Sequence, residues 1–335
     1  PGYPSLRQAI ANTLNNELKS YPVRPYNAND IVVSVGAKQA LCNAIEALIG
    51  PDDEVIMPTP CWVSYVEMVK IAQGKSVLVK TTMENNFCLT AEQLEAAITP
   101  ATKLLLLCSP NNPTGSVYTL ENLKAIVEVL KKYPQIVVLA DEIYQHILYT
   151  GKHETMAQFP EIEDRLIIIN GVSKAYAMTG YRIGWLASHD KDFITAVKRL
   201  QGQTISCATT IAQRAAEAAY TGPQECVEEM RQAFERRRDL IVRLAKDIPG
   251  MKVLEPQGAF YLFPDVSAFF GKKYNGQTIE NANDVVNFLL QEAHVACVSG
   301  SAFGEDNCIR FSYATSEDKI IEAMRRMKEM LSKLQ

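Results

Sequence analysis

A lysine and an arginine stand eight positions apart, among small residues, in the stretch Asn170–Trp185, which reads NGVSKAYAMTGYRIGW. A lysine becomes a nucleophile near neutral pH only when burial or nearby positive charge lowers its pKa, and the small residues around Lys174 favour a crowded, dry site. Arg182 keeps its charge and offers a fork of donors that fits phosphate oxygens. The stretch predicts a covalent attachment point for an aldehyde group, with a cation nearby for a phosphate.

A single lysine or arginine carries little weight, since the chain has 34 of them and most such residues are solvated surface groups. Other polar residues must therefore converge on the same place. Short β-branched runs alternate with helical periods between residues 30 and 187, which predicts an α/β fold with a mostly parallel seven-stranded sheet flanked by helices. The predicted strands are Ile31–Val35, Glu54–Met57, Ser76–Lys80, Lys103–Cys108, Ile136–Ala140, Leu166–Asn170 and Ile183–Ala187. The helices predicted between them are Lys38–Ile49, Val63–Ala72, Ala91–Ala97 and Leu120–Lys131.

Ligands of open α/β sheets bind at the carboxyl ends of the strands, so the residues that follow each strand are informative. Gly36, Ala37 and Lys38 follow the first strand and open a helix, where backbone N–H groups can approach an anion. Many such turns only connect two elements. The turn is therefore a weak signal for a phosphate site when taken alone.

Two further polar segments follow apolar strands. Asn112 lies in Ser109–Gly115, a stiff turn with two prolines and a glycine, which could be a turn and nothing more. Asp141 ends a strand that reads IVVLA, where an aspartate is costly unless it has a cationic partner. Tyr144 adds a phenol three residues later. The sequence therefore predicts polar groups of three kinds at the same edge of the sheet.

These groups match the atoms of one cofactor. Asp141 would keep a pyridine nitrogen protonated, and Tyr144 with Asn112 would reach the phenolic oxygen of the ring. Lys174 would bond to the aldehyde carbon, and Arg182 with the turn at Gly36 would bind the phosphate. The inventory predicts pyridoxal 5′-phosphate.

The chain length and a long helix predict two domains. The helix Pro223–Ile248 is long enough to bridge them, and Pro249 and Gly250 end it. We expect a large α/β domain over residues 1–248 that binds the cofactor and a smaller α+β domain over residues 249–335. A further helix is predicted at Thr209–Tyr220, and the smaller domain is predicted to hold strands Met251–Leu254, Ala259–Phe263, Val295–Val298 and Ile309–Ser312 with helices Asn283–Ala293 and Ser316–Leu334.

Composition narrows the class of protein. The 47% hydrophobic and 21% charged content is ordinary for a globular enzyme, and a net charge of −4 draws the surface toward neither nucleic acid nor membrane. The eight cysteines form no CxxC pair and the four histidines show no metal-ligand spacing. No apolar run approaches about 18 residues. We expect a soluble cytoplasmic protein with no metal, no nucleic-acid partner and no membrane segment.

Four segments together resemble the successive motifs of class I and II aminotransferases of pyridoxal-phosphate fold type I. They are Ser109–Gly115, Ala140–Tyr144, Ser173–Gly184 and Cys308–Tyr313, and their order and spacing run over almost the whole chain. The resemblance implies an enzyme that moves an amino group between an L-amino acid and a 2-oxo acid in two half-reactions. It also implies a homodimer with active sites at the subunit interface.

By resemblance, each site residue receives a role. Lys174 anchors the cofactor and, once freed by substrate, carries the proton from the substrate α-carbon to the cofactor's carbonyl carbon. Asp141 holds the pyridine nitrogen protonated, while Tyr144 and Asn112 act on the ring oxygen.

Two more residues receive roles that their surroundings alone leave open. Trp62 matches the aromatic side chain that stacks on the cofactor ring, although it could be a core indole under a helix start. Arg310 matches the arginine that grips the substrate α-carboxylate, with Asn112 and Trp62 beside the substrate. Alternation with Ile309 and Phe311 would also suit an exposed strand face.

The segments Val35–Leu41 and Asn170–Lys174 resemble those of the bacterial branch of aspartate aminotransferases. In that branch a lysine at the position of Lys38 helps to bind the side-chain carboxylate of a dicarboxylic substrate; neutralisation of the phosphate or a plain surface position are the alternatives. We therefore expect L-aspartate and 2-oxoglutarate as substrates, with prephenate or aromatic substrates also accepted.

Two departures from the family pattern limit the transfer of roles. Gly171 stands where many relatives carry a serine that holds the phosphate, and Ser173 is next to the lysine instead. The segment Pro1–Ile10 resembles a stretch that normally follows an N-terminal arm, so a native arm is expected to be absent from this chain.

Two other functions remain open from the sequence: a β-lyase or related synthase on the same fold, and a non-enzymatic aminotransferase-like domain of a transcription regulator.

Overall fold

The computed structural model describes residues 1–335, and a seven-stranded sheet forms its centre. The strands are β1 (Ile31–Val35), β2 (Glu54–Thr59), β3 (Lys75–Lys80), β4 (Thr102–Cys108), β5 (Val137–Asp141), β6 (Leu166–Gly171) and β7 (Ile183–Ala187). Their order is β1-β7-β6-β5-β4-β2-β3. Only β7 runs antiparallel to its neighbours β1 and β6. The predicted mostly parallel sheet of seven strands is confirmed.

Apart from the edge strand β3, which is partly exposed, successive residues of the strands are buried against opposite faces of the sheet. Val33 of β1 packs into a cluster with Leu6 and Ile10 of the first helix, whereas its neighbour Val32 packs with Leu41 of the second helix. Since helices cover both faces, the central strands β4 to β7 are largely apolar rather than alternating. This pattern made the strands visible in the sequence.

The helices surround the sheet and continue beyond it. They are α1 (Pro4–Leu18), α2 (Gly36–Leu48), α3 (Ser64–Ile71), α4 (Ala91–Ala97), α5 (Leu120–Lys131), α6 (Lys191–Thr204), α7 (Thr210–Thr221), α8 (Glu225–Lys246), α9 (Ala282–Glu292) and α10 (Glu317–Leu331). None of the ten combines the length and the apolar composition that a bilayer-spanning helix needs.

Helix α6 is absent from the predicted elements, although its start carries a clear signal. The side chain of Asp190 accepts hydrogen bonds from the N–H groups of Asp192 and Phe193 at the helix N-terminus. Its buried face includes Phe193 and Val197. Gly202 and two threonines weaken the helical propensity of the segment, and tertiary packing overrides that weakness.

Among the C-terminal strands, Ile309–Ser312 is found as predicted, whereas the other three predicted strands are shortened or absent. A three-stranded sheet has the order β11 (Val298–Ser299), β12 (Ile309–Ser312) and β8 (Tyr261–Leu262), and β9 (Lys273–Tyr274) pairs with β10 (Gln277–Thr278). The predicted strand Met251–Leu254 is wrong, since only Lys252 forms an isolated bridge. The predicted strand Val295–Val298 is also wrong apart from its last residue. The apolar residues of both segments pack into the core from a loop. Alternation of apolar and polar residues over so few positions does not distinguish such a loop from a hydrogen-bonded strand.

A separate cluster of 30 buried residues lies in this C-terminal part. It includes Ile241 and Ala245 from the second half of α8, as well as Tyr144 from the loop after β5. The cluster therefore joins the end of a central strand to the C-terminal elements. The domain boundary at residues 248 and 249 stays a prediction.

Candidate active site

A cavity of about 340 Å³ lies where β4 and β5 end and α2 begins, within the size range of about 300–1,000 Å³ that ligand pockets usually have. Nearly all of the residues predicted for the site line this cavity: Ala37, Lys38, Trp62, Asn112, Asp141, Tyr144, Lys174, Arg182 and Arg310. The remaining one, Gly36, lies directly against the guanidinium of Arg182. A larger cleft of about 790 Å³ beside α8 contains none of them.

Asp141 is a buried carboxylate at the last position of β5. The hydroxyl of Tyr65 donates to its Oδ2 at 2.7 Å, and the N–H of Ile143 donates to its Oδ1 at 3.2 Å. Burial raises the pKa of Asp141 to about 6, and these hydrogen bonds oppose the rise. No lysine, arginine or histidine lies within 4.0 Å of the carboxylate. A protonated pyridine nitrogen would supply the cationic partner that the strand end lacks.

Lys174 is half-buried and faces two aromatic rings. Its ammonium lies 5.5 Å from the ring centre of Tyr144 and 5.4 Å from that of Phe260. Burial lowers the pKa of Lys174, and the positive charge of Arg182 lowers it further. Both causes are those that a lysine nucleophile needs.

The first turn of α2 and Arg182 form a cradle for an anion. No side chain caps the N-terminus of α2, so its first N–H groups remain available. Gly36 has φ +80°, and a Cβ there would overlap the guanidinium of Arg182. A Cβ on Gly184 would likewise overlap the backbone of Ala37. Two glycines thus let the helix start, β7 and Arg182 approach each other closely.

Gly171, which departs from the family pattern, has a structural reason. A Cβ at this position would lie 2.7 Å from the carbonyl oxygen of Ile183 and 2.8 Å from Cα of Gly184. A serine therefore does not fit without movement of the backbone. Ser173 instead lines the cavity and is buried.

Arg310 enters the cavity from β12. Its Nη1 donates to Oδ1 of Asn112 at 2.8 Å, and its guanidinium carbon lies 4.6 Å from the ring centre of Tyr261 and 4.7 Å from that of Phe303. Two rings and an amide hold the guanidinium in place. The geometry excludes the alternative of a solvated strand face.

Trp62 and Lys38 lie together on another side of the cavity. The Trp62 ring is partly exposed and meets the ring of Tyr65 edge to face at 5.4 Å, so it is not a core indole. The ammonium of Lys38 lies 4.7 Å from the centre of the Trp62 ring. Lys38 is otherwise exposed on the first turn of α2.

Two lining residues, Tyr65 and Tyr261, carry functional contacts that the sequence reasoning missed. Tyr65 follows Trp62 by one helical turn, a spacing that could have indicated a shared face. The hydroxyl of Tyr261 lies 2.9 Å from that of Tyr144. No local pattern marks Tyr261, because its partners come from distant parts of the chain.

The donor set fits pyridoxal 5′-phosphate. A buried carboxylate without a cation suits the ring nitrogen, a lysine of lowered pKa suits the aldehyde carbon, and a helix start with an arginine suits the phosphate. Together with the sheet, these features define a cofactor-dependent α/β enzyme of pyridoxal-phosphate fold type I.

Comparisons with known proteins agree with this class. The family model for aminotransferase class I and II matches residues 1–327. An aspartate aminotransferase of Geobacillus stearothermophilus is 46% identical over 97% of this chain and 81% of its own length. An aspartate/prephenate aminotransferase of Nitrosomonas europaea is 42% identical over 99% of this chain and 83% of its own length. The crystal structure of the aspartate aminotransferase from Rhizobium meliloti superposes with a TM-score of 0.96 at 42% identity, covering 100% of this chain and 83% of that one.

The chain belongs to the class I and II aminotransferase family. It is a pyridoxal-phosphate-dependent enzyme that moves an amino group between an amino acid and a 2-oxo acid. The names of these relatives favour this activity over a β-lyase and over a regulator domain.

Proposed function

We propose that this enzyme transfers the amino group of L-aspartate to 2-oxoglutarate. The charge of the cavity carries the proposal: four basic side chains line it, Lys38, Lys174, Arg182 and Arg310, against one acidic side chain, Asp141. A phosphate with two negative charges and a dicarboxylic substrate with two more match this excess of positive charge. Because Lys174 serves the cofactor and Arg182 its phosphate, Arg310 and Lys38 remain for the two carboxylates.

Arg310 grips the α-carboxylate with its planar fork of donors. Asn112 accepts a hydrogen bond from one side of that fork, which leaves the other nitrogen atoms free for the substrate. Lys38 meets the side-chain carboxylate across the face of Trp62, where the ring holds the ammonium near the cavity. A monocarboxylic donor would leave this ammonium without its partner.

Lys174 is the acid–base group of the reaction. When bound, the cofactor supplies an electron-withdrawing ring that stabilises negative charge at the substrate α-carbon. Lys174 takes the α-proton and redelivers it, which requires a neutral amine for part of the cycle. Burial and the positive charge of Arg182 lower the pKa of Lys174, which increases the fraction of the neutral amine.

Asp141 and Tyr144 hold the two polar atoms of the ring. Asp141 would accept from the ring nitrogen and keep its proton in place, and the Tyr65 hydroxyl holds the carboxylate for that contact. Tyr144 stays protonated because burial raises its pKa well above the ordinary value, so it acts as a donor to the phenolic oxygen together with Asn112. Trp62 stacks on the ring face.

The dimer, the two domains and the cellular location are also part of the proposal. Tyr181, Ile205 and Ile211 are exposed large apolar side chains at 49%, 37% and 78%, and Tyr181 adjoins Arg182 of the phosphate cradle. An interface of two subunits over this region would bury them. Size-exclusion chromatography with light scattering tests the homodimer.

Residues 1–248 form the large domain and residues 249–335 the small one. The enzyme belongs to the cytoplasm.

The experiment combines spectra with assays across donors. The purified protein should show the visible band of bound pyridoxal phosphate, and L-aspartate should shift that band. Steady-state kinetics should give aspartate and glutamate a higher kcat/KM than alanine and phenylalanine. Equal values for all four would contradict the dicarboxylate proposal, and pyruvate release from cystathionine would reveal a β-lyase. Lys174→Ala should abolish turnover without loss of the folded state.

A further inference from the structure

Tyr261 joins two groups of the site that come from different parts of the chain. Tyr261 lies on β8 and is paired with Ser312 of β12. Arg310 lies two residues before Ser312 on β12, so it is the diagonal cross-strand neighbour of Tyr261. Its ring faces the guanidinium of Arg310 at 4.6 Å. Its hydroxyl lies 2.9 Å from that of Tyr144, and the two rings meet edge to face at 5.9 Å. Both phenols are buried.

The pair of hydroxyls shares one hydrogen bond, so one of the two protons remains free. Tyr144 and Tyr261 have no other side-chain hydrogen-bond partner in the cavity. The groups that face the Tyr144 phenol are Asp141 and Cys108 from the central strands and Lys174 from the loop after β6. If Tyr261 donates the shared hydrogen bond, the hydroxyl proton of Tyr144 is free to point toward the cofactor. If Tyr144 donates it, that proton is used.

The positive charge over its ring makes Tyr261 the better donor. Burial raises the pKa of both phenols, but the guanidinium of Arg310 over the Tyr261 ring opposes the rise at Tyr261, whereas the Tyr261 phenol adds to the rise at Tyr144, whose pKa lies well above the ordinary value. Between two neutral phenols the more acidic one donates. The proton of Tyr144 is then free for an acceptor in the cavity.

We propose that Tyr261 is a positioning residue with two separable tasks. Its hydroxyl donates to Tyr144 and so directs the Tyr144 proton to the phenolic oxygen of the cofactor, while its ring fixes Arg310 for the substrate carboxylate. The proposal rests on the proposed function, because it needs the cofactor in this cavity. It adds a link between the cofactor side and the carboxylate side of the site.

Three variants of the holoenzyme test the two tasks. Tyr261→Phe removes the hydroxyl and keeps the ring, and Tyr261→Leu removes both. Tyr313→Phe is the matched control, since Tyr313 is a buried tyrosine of the same cluster whose hydroxyl bonds to Tyr149 at 3.3 Å and whose side chain does not line the cavity. The readouts are the pH titration of the cofactor's visible band and the Kd of maleate, a dicarboxylate that carries no amino group to transfer.

The expected results differ between the two tasks. A donor at the phenolic oxygen competes for that oxygen with the protonated nitrogen of Lys174, so its loss raises the midpoint of the band titration. Both Tyr261→Phe and Tyr261→Leu keep Tyr144 but remove the bond that directs its proton, so its donation weakens and the midpoint should rise by about 0.3 to 0.7 pH unit, less than the loss of one whole neutral hydrogen bond. Maleate should bind Tyr261→Phe within about twofold of wild type and Tyr261→Leu about threefold to tenfold more weakly. Tyr313→Phe should change neither quantity.

Specific outcomes overturn each task. A midpoint that is unchanged or lower in Tyr261→Phe overturns the donor role of the hydroxyl, and this variant is close enough in shape to wild type to fold. Equal maleate affinity for the Phe and Leu variants overturns the role of the ring. A wild-type protein without a visible band would instead overturn the proposed function, so the two failures are distinguishable.

Discussion

The hydroxyl of Tyr65 donates to Oδ2 of Asp141 at 2.7 Å, and both side chains are buried at the point where β5 leaves the sheet. The bond does two things at once. It holds the carboxylate in one orientation, and it opposes the rise in the Asp141 pKa that burial causes. Tyr65 also touches the Trp62 ring edge to face. One tyrosine thus contacts both Asp141 and Trp62 in the cavity.

Replacing Tyr65 by phenylalanine should weaken the hold on the ring nitrogen. Without the donor the pKa of Asp141 rises further, so the ionised carboxylate is a smaller fraction at neutral pH. Because a hydrogen bond to a charged group contributes about 1.5–3 kcal/mol, we expect kcat/KM for aspartate to fall by about tenfold or more. The loss should be larger at pH 6 than at pH 8.5, as measured by steady-state assays. The same loss at both values would argue against a role in the ionisation of Asp141.

Asp141→Asn should make the cofactor-free protein more stable at neutral pH. The pKa of Asp141 is raised from 3.8 in the unfolded chain to about 6 in the folded one, so the folded state binds more protons between these values. Wild-type stability therefore decreases as pH rises from about 4 to 6 and stays low above it. Removal of the charge should increase the free energy of unfolding by up to about 3 kcal/mol at pH 7 and by almost nothing at pH 4.

Denaturant unfolding of the cofactor-free wild type and Asp141→Asn at both pH values measures this difference. The same variant should lose nearly all aminotransferase activity, since an amide does not hold a protonated ring nitrogen as a carboxylate does. A gain in stability that is equal at pH 4 and pH 7 would show that burial of the charge is not its cause.

Lys38→Gln should affect dicarboxylic donors alone. The amide keeps most of the side-chain length but loses the charge over Trp62. Because Lys38 is exposed, the contribution of its ion pair to a substrate is modest, and we expect KM for aspartate to rise roughly fivefold. KM for a monocarboxylic donor should change by less than about twofold.

Lys70→Gln provides the matched control for that variant. Lys70 is an exposed lysine of α3 that pairs with Glu67 at 2.7 Å and does not line the cavity. It should leave both KM values unchanged. An equal rise in KM for both kinds of donor in Lys38→Gln would place this lysine at the cofactor instead of the substrate side chain.

Gly171→Ser should destabilise the protein and not improve the phosphate site. The new Cβ would meet the Ile183 carbonyl at 2.7 Å, so β6 or β7 must shift, at a cost of about 1–3 kcal/mol. Gly202→Ala in α6 is the control, because nothing lies within 4 Å of its Cβ position. That change should stabilise the helix by roughly 0.5–1 kcal/mol. Thermal unfolding measures both, and a Gly171→Ser variant as stable as wild type would refute the close approach of β6 and β7.

Local pattern was enough to predict the central sheet and the lysine site. Strands such as β1 and β5 are buried on both faces, so their apolar runs stand out, and glycines or capping residues separate them from the helices. Lys174 and Arg182 lie in one continuous stretch on either side of a short turn. Asp141 ends β5 and Asn112 lies in the turn after β4, so the parallel pairing of β4 with β5 places them at one edge of the sheet.

The short C-terminal strands and α6 were not accessible in the same way. Two-residue strands such as β8 and β11 carry too little alternation to be distinguished from packed loops. Helix α6 contains Gly202 and threonines that lower its propensity, and its apolar face against α2 stabilises it.

The sequence by itself determined the sheet, the stretch that holds Lys174 and Arg182, and the set of polar groups near the strand ends, because each of these depends on residues close together in the chain. Only the tertiary structure decided which tyrosine hydroxyls bond to Asp141 and Tyr144. Tyr65 reaches Asp141 across 76 positions, and Tyr261 reaches Tyr144 across 117. The physical reason is that hydrogen bonds between side chains depend on distances in space, which the order of residues does not encode locally.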